Sequence, residues 1–350
     1  MPAGSLTLSY NDILSTTVFN WSKTLQNQIS TANAFLYLLM QKEGGHKTVS
    51  DIGDRKQMPL MYELGVARPY AGYDVLDTTP MDGITSAFFD WRQASVPISI
   101  DGLSERKNSG EARMINLLES KTKQAELGIK EYVNRAFLQG NGGTAITTAS
   151  TNPLTGASFI DPLPLLVKYD PTSSTTIGNL NQSTNTWWQN QTFNSVSSSF
   201  AAFRKELRRL RNLCSKGVGG SPNLHLCDQS VFELYEACLT TFHQNLSYKT
   251  ADIPFENLMF DGYPVTWDEF VPDVQGGSAT QSTSSGTWFM LNLDFFQIEV
   301  DETRNFTATP FVKPENQDAR TSQVLWLGAA GVSNRRKQGV MGGIDTTIAA

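Results

Sequence analysis

The chain is 350 residues long, enough to bury at least one large core, and its length sets a soft expectation of roughly two domains. A formal charge of −6 with dispersed basic residues argues against a surface built to neutralise nucleic-acid phosphates, which needs a basic patch or tail. Hydrophobic residues make up 39% and charged residues only 18%, with 27 glycines and many Ser, Thr, Asn and Gln residues between patterned segments, so the protein reads as strand-rich and loop-rich.

The first fifty residues read as an arm, with an amphipathic helix starting near Asn11 or Asp12. Its stripe of Leu14, Val18, Trp21, Leu25, Ile29, Ala32, Leu36 and Leu39 keeps helical spacing until Gly44-Gly45 stops it, and so apolar a face must pack on this subunit or on a neighbour. From Gln57 to Ile100 the period becomes two. Met58, Leu60, Tyr62 and Leu64 alternate on the way out, and Ala87, Phe89, Trp91, Val96, Ile98 and Ile100 on the way back. The connection from about Arg68 to Gly83 carries Pro69, Gly72, Pro80 and Gly83 together with Tyr70, Tyr73 and Met81. A hairpin this long projects beyond a compact core and needs a partner to lie on.

An uninterrupted helical pattern follows from about Ser109 to Gln139. Ile115, Leu118, Thr122, Ala125, Ile129, Tyr132 and Ala136 share one face, and Lys121, Lys123, Glu126, Lys130 and Glu131 the other. A helix of roughly thirty residues is ~45 Å long, a beam rather than a catalytic device. It ends at the glycine turn Gly140-Asn141-Gly142-Gly143-Thr144.

Leu163 to Tyr169 then reads as a strand, and the polar stretch Thr172 to Ser199 as an ordered loop pinned by Trp187-Trp188. A second helix sets Phe203, Leu207, Leu210 and Cys214 on one face. Leu224 to Cys227 forms a short strand, and Asp228 caps a third helix through Leu239, which together make an α/β layer. From Trp288 the chain returns to strands: Phe296, Ile298 and Val300 alternate, followed by Phe311-Val312 and Val324 to Leu327, with Pro310 and Pro314 confining their strand to an edge or a short span.

Little in this sequence carries chemistry. The glycine turn follows a helix instead of leading into one and lacks a Gly-Lys-Ser/Thr ending, so it reads as a helix stop. His225, Cys227, Cys238 and His243 are metal-ligand types, but their spacing matches no closed zinc site. The adjacent pairs Asp268-Glu269 and Asp301-Glu302 point to opposite faces of a strand and read as solvated turn charges. There is no Gly-x-Ser-x-Gly elbow, so no catalytic residue, cofactor or metal is expected. Cys214, Cys227 and Cys238 cannot all pair and read as reduced thiols; no signal peptide is recognisable, and the longest apolar stretch, Ala34 to Met40, is far below the roughly 20 residues that span a bilayer. One local charge run, Arg204 to Arg211, lies opposite Phe203, Leu207 and Leu210. Arg204, Arg208 and Arg211 are candidate contacts to a phosphate or an acidic partner.

The order of elements, helical arm, long hairpin, beam helix, glycine turn, middle α/β layer and returning strands, resembles the major capsid proteins of tailed double-stranded DNA phages, the Hong Kong 97 type of shell fold, over essentially the whole chain. Several strings are similar too: Phe137-Leu138-Gln139-Gly140-Asn141-Gly142 leading to Leu154-Thr155-Gly156, Trp187-Trp188-Gln189-Asn190-Gln191, Phe260-Asp261-Gly262-Tyr263-Pro264-Val265, and Leu327-Gly328-Ala329-Ala330-Gly331-Val332-Ser333-Asn334-Arg335-Arg336. Gly178-Asn179-Leu180-Asn181 departs from the family's usual glycine pair and leaves that turn open. Read from Met1, the chain leaves no room for a cleaved scaffolding segment, so a separate scaffold, or none, is implied.

The resemblance implies an α+β fold: an N-terminal arm (1–50), an extended β-hairpin loop (51–102, tip about 68–83), the spine helix of a peripheral domain (103–145), an axial α/β domain (146–287), and a return to the peripheral sheet (288–350). It implies a non-enzymatic coat protein that self-assembles through hexamers and pentamers into an icosahedral head around double-stranded DNA, without reading its sequence and without a membrane. A portal and a separate scaffolding or decoration protein would be partners, with assembly in the host bacterial cytoplasm and the virion capsid as location. Arg68, Tyr70, Tyr73, Asp74 and Asp77 are the expected loop contacts over an adjacent subunit's spine helix, and Trp21 and Leu25 those of the arm. An encapsulin-like cargo compartment is the alternative of the same fold. A soluble hydrolase with an unrecognised carboxylate site is the alternative of another class.

Overall fold

The computed structural model describes residues 35, 39, 46–76, 79–80, 82–107, 117–139, 160–240, 258–275 and 284–348. Strands β1 (His46–Val49), β2 (Lys56–Met61), β3 (Ile84–Phe89) and β4 (Arg92–Asp101) precede the short α1 (Gly102–Lys107) and the long α2 (Leu117–Gln139). The middle of the chain forms α3 (Leu163–Leu166), the two-residue strands β5 (Thr176–Ile177) and β6 (Leu180–Asn181), β7 (Gln191–Asn194), α4 (Phe200–Cys214), β8 (Leu224–Cys227), α5 (Gln229–Thr240), β9 (Leu258–Phe260) and β10 (Tyr263–Trp267). The last strands are β11 (Ser285–Leu291), β12 (Phe296–Ala308), β13 (Ala319–Val332) and β14 (Gly339–Asp345).

Two main sheets divide these strands. A four-stranded sheet has the order β1-β12-β13-β4, and a six-stranded sheet the order β7-β14-β11-β8-β10-β9. Periodicity places everything after Trp288 in one returning sheet, but β11 and β14 join the middle region instead, β11 antiparallel to β8 and β14 parallel to β7. The run Trp288-Phe289-Met290-Leu291 is apolar at every position, which suits a strand covered on both faces. Alternate residues serve two cores. Leu224, Leu226, Phe289 and Leu291 join Ile129, Val133 and Phe137 of the spine helix, while Cys227, Trp288 and Met290 join Phe203, Leu207 and Tyr235.

Helix α2 has 23 residues, ~35 Å at its usual rise. The positions before it that carried the start of the pattern, Ile115 included, and the glycine turn at 140–144 lie outside the described residues. Ala125, Ile129 and Ala136 are buried as expected, but Tyr132 is 40% exposed and Val133 takes its place. Four residues past Ile129 is just over one full turn and three fall further short of one, so Val133 and not Tyr132 continues the inward face. Phe35, helical and fully buried, stacks on Phe137 with ring centroids 5.4 Å apart, so the end of the arm packs on its own subunit.

Three local expectations change or close. The Leu163 to Tyr169 run is not a strand: α3 is one helical turn after Pro162, and proline within the run gives no ladder bond yet fits a helix's first turn. Phe311-Val312 provides only a bridge from Val312 to Thr321, between its flanking prolines. The open turn at Gly178-Asn179 is the tight link between β5 and β6, with both residues left-handed at φ 60° and 65°, as a type I′ hairpin requires. Asp228 does cap α5, accepting the Val231 N–H at 3.2 Å.

Candidate functional site

The extended loop has a clamped root. Strands β2 and β3 pair from Lys56↔Phe89 to Met61↔Ile84. Lys56, Met58 and Leu60 point inward and Gln57, Pro59 and Met61 outward, the alternation of a half-buried strand. The Phe88 N–H donates to the Gly178 carbonyl at 3.0 Å. A Cβ at Gly178 would stand 3.0 Å from the Ala87 Cβ and 3.1 Å from the Phe89 Cζ, so the close approach there needs glycine. Tyr62 closes the root: its N–H donates to the Gly83 carbonyl at 2.9 Å, its hydroxyl donates to the Asp82 carbonyl at 2.6 Å, and its ring stacks on Trp187 at 5.0 Å.

Arg335 ties this root to the rest of the fold. It is 1% exposed and pairs with no carboxylate among the described residues; its guanidinium donates to the Leu166 and Trp188 carbonyls, the Gln182 side chain and the Asn190 side chain at 2.8–3.1 Å, and lies over the Trp188 ring. Burial lowers its pKa to about 9. Sequence reasoning had no signal for this role, because a lone Arg-Arg in a loop reads as solvated.

Between the Tyr62 and Gly83 closure the described loop residues are exposed. Nine of the sixteen large hydrophobic side chains exposed among the described residues fall between Met61 and Ile84, so apolar surface is concentrated here rather than scattered. Of the expected contacts, Arg68, Tyr70 and Tyr73 are exposed on this arm. Asp74 also holds a local turn, its carboxylate accepting the Ala71 N–H at 2.8 Å. Asp77, Trp21 and Leu25 lie outside the described residues. Val66, Val75 and Leu76, also exposed, were not singled out from sequence, although apolar residues running into a Gly/Pro segment carried the signal.

Helix α4 buries Phe203, Leu207, Leu210 and Cys214 as its spacing requires. Its cationic face divides. Arg208 is exposed with Lys205 and Arg209, whereas Arg204 and Arg211 are half-buried. Arg211 is ion-paired with Asp261 of the β9–β10 turn, and Arg209 lies over the Phe193 ring at 5.3 Å. The structure therefore brings the three candidate arginines onto one helix while answering the charge of Arg211 within the subunit.

The remaining chemical candidates are packing groups. His225 is fully buried and edge-on to Phe260 at 5.1 Å. All three cysteines are buried free thiols; burial pushes the Cys227 thiol well up and that of Cys238 to about 11, far from a reactive thiolate. His243 lies outside the described residues, and among those described no three His, Cys, Asp or Glu side chains are grouped to hold a metal. Each acidic pair splits, with Glu269 and Glu302 exposed, but Asp268 and Asp301 are buried rather than solvated. Asp268 accepts from the Asn134 amide of α2 at 3.0 Å and from the Phe270 N–H at 3.0 Å, and burial raises it to about 6. Asp301 accepts from the N–H and hydroxyl of Thr303.

No protein-family model matches the chain, and no curated protein matches its sequence. Solved structures do match. The cyanophage A-1(L) capsid asymmetric unit aligns at 13% identity with a TM-score of 0.63, covering 93% of this chain and 97% of that one. The capsid of a native GTA particle aligns at 11% identity with a TM-score of 0.60, covering 96% of each chain. The holo-SrpI encapsulin of Synechococcus elongatus PCC 7942 aligns at 9% identity with a TM-score of 0.59, covering 98% of this chain and 99% of that one. The chain has the fold of the tailed-phage major capsid proteins, a fold that this encapsulin shares.

Proposed function

We propose that this chain is a major capsid protein whose copies assemble, through hexamers and pentamers, into an icosahedral head enclosing the double-stranded DNA of a tailed phage. The observation that carries this reading is the loop: a rigid root holds out an arm that exposes Tyr70, Tyr73, Val75 and Leu76. Apolar surface of that kind is covered when a neighbour supplies the matching face. The loop lies over the spine helix of an adjacent subunit, where Lys123, Glu126 and Lys130 are exposed, and the N-terminal arm reaches a further neighbour. The four-stranded sheet and α2 form the peripheral domain, and the six-stranded sheet with α4 and α5 the axial domain. A portal and a separate scaffolding or decoration protein complete the head.

Negative-stain electron microscopy with light scattering on the purified full chain tests this. Closed shells or hexamer and pentamer rings are expected; a monomer that stays monodisperse even when expressed with the neighbouring head genes overturns it. The likeness to an encapsulin favours a second reading, a compartment for cargo proteins. Nuclease-protected DNA inside native particles supports the head; a co-purifying protein cargo supports the compartment.

A further inference from the structure

The one concentrated charge on this acidic chain lies along α4. From Phe200 to Lys216 six cations, Arg204, Lys205, Arg208, Arg209, Arg211 and Lys216, stand against a single acid, Glu206, a net charge of +5 in a chain of −6. The fold sorts these charges. Glu206 is drawn to one flank, where its carboxylate accepts the Ser195 hydroxyl at 2.7 Å, and Arg211 on another flank is answered by Asp261. Lys205, Arg208 and Lys216 are exposed and make no hydrogen bond or ion pair among the described residues; Arg209 is exposed with its guanidinium over the Phe193 ring. At 3.6 residues per turn these four share the face opposite Phe203, Leu207, Leu210 and Cys214, and they span ~16 Å of helix and its exit. The loop that follows continues the face with backbone donors. Its carbonyls turn inward: those of Lys216, Gly217 and Gly220 accept from the Lys337 ammonium at 3.1–3.3 Å, and those of Gly219 and Ser221 from the Asn292 amide at 3.0 and 3.3 Å. The N–H groups of Gly217, Val218, Gly219 and Gly220 make no hydrogen bond among the described residues.

We infer that this face of α4 binds the phosphate backbone of double-stranded DNA, without reading its sequence. What the face lacks selects the occupant. Its exposed positions are Ala201, Lys205, Arg208, Arg209, Asn212 and Lys216, and the exposed apolar side chains Val196 and Val218 stand beyond its two ends. The centre of a protein interface is depleted of charge and rich in aromatic residues, the reverse of this composition. Phosphates are met by arginine, lysine and backbone N–H groups on a polar, positive surface. Over ~16 Å a duplex presents roughly five phosphates on each strand, enough to match all four cations. Helix α5, packed on the same core as α4, exposes Glu233 and Glu236, so a polyanion is confined to the α4 track. The basic patch that the overall charge argues against is thus present, but only here. The inference rests on the shell reading for the source of the DNA and adds the surface that meets it, with the α4 face turned to the interior.

Fluorescence anisotropy of a labelled duplex with the dispersed full chain, over a series of salt concentrations, tests it. Binding at low salt is expected, with log K falling against log salt at a slope of about −3 to −4, near −0.9 for each phosphate neutralised by four cations. Lys205→Gln with Arg208→Gln should halve that slope for any duplex sequence, and Lys123→Gln with Lys130→Gln on α2 should leave it unchanged. Absence of binding at low salt overturns the inference, as does a slope that the α4 pair leaves intact or that the α2 pair lowers equally. Polyglutamate bound as tightly as DNA, with the same dependence on Lys205 and Arg208, shows a face for an acidic protein and overturns the phosphate assignment. Should the α4 pair fail to fold by circular dichroism, Lys216→Gln decides: a slope reduced by about one supports the face and an unchanged slope overturns it. Electron microscopy of the same samples separates the two claims. Wild type that binds DNA but never closes shells sinks the shell reading and leaves the face standing; shells whose Lys205 and Lys216 are labelled from outside by an amine reagent too large to cross the wall sink the face and leave the shell reading standing.

Discussion

In the six-stranded sheet Trp288, Phe289, Met290 and Leu291 are all fully buried, whereas in the extended loop Leu64 is 76% and Val75 98% exposed. Similar residue types stand in both places. In the sheet the apolar area is removed from water inside one subunit and contributes to its folding. In the loop it contributes almost nothing until a second molecule arrives. On the proposed shell reading, stability and assembly are carried by different parts of the chain, and substitutions should separate them.

The largest expected effect is a deletion. Removing 64–81 and joining Glu63 to Asp82 should leave the unfolding midpoint nearly unchanged and abolish shell closure by electron microscopy; intact shells would break the comparison. A deletion from Pro69 through Gly83 is less clean, because it removes both the Asp82 and Gly83 carbonyls that Tyr62 uses. Next, Phe289→Ala should cost about 3–5 kcal/mol in denaturant unfolding. Tyr73→Ala should stay within about 0.5 kcal/mol in the same measurement while raising the concentration at which shells form. Equal destabilisation by both would remove the distinction.

Arg335→Met tests whether the loop root belongs to the sheet side. It strands acceptors on Leu166, Gln182, Trp188 and Asn190, and a loss of about 2–4 kcal/mol is expected, with Arg335→Lys giving little rescue because one ammonium cannot span the fork. Tyr62→Ala should cost only about 1 kcal/mol overall, yet speed amide exchange at residue 62 and increase proteolysis of the loop.

The smallest effect is on pH dependence. Burial raises Asp228 to about 7, so between its ordinary value near 3.8 and about 7 the folded chain holds a proton that the unfolded chain has released. Stability from this group is therefore highest in acid and falls as pH rises through that window. Asp228→Asn, which can still cap α5, should flatten the slope of the unfolding midpoint between pH 4 and 7. An unchanged slope would place the titration elsewhere, with Asp161, raised to about 6, and Asp268, also raised to about 6, the next carboxylates to substitute.

Much of this was legible in the amino acids. Spacing alone identified the buried face of α4, the cap at Asp228 and the hairpin root, because period 3.6, period 2 and capping are local properties. The loop's exposure was legible for a related reason: apolar residues among Gly and Pro have no local way to be buried. The ion pair under the loop root was not legible: Lys56 stands on β2 and Glu299 on β12, and nothing local records that the two side chains meet.

The sequence by itself determined that α2, α4 and α5 are helices and that β2, β4, β8 and β12 are strands, with the apolar face of α4 and the alternation of β2 and β12, since neighbours a few residues apart decide both. The tertiary structure alone decided that β11 and β14 leave the returning strands to flank each other in the six-stranded sheet, that α3 is a turn of helix and not a strand, and that Arg335 is buried. The acceptors of Arg335 lie 145 to 169 residues away along the chain, and partnerships at such separations depend on how whole elements pack rather than on any pattern within one of them.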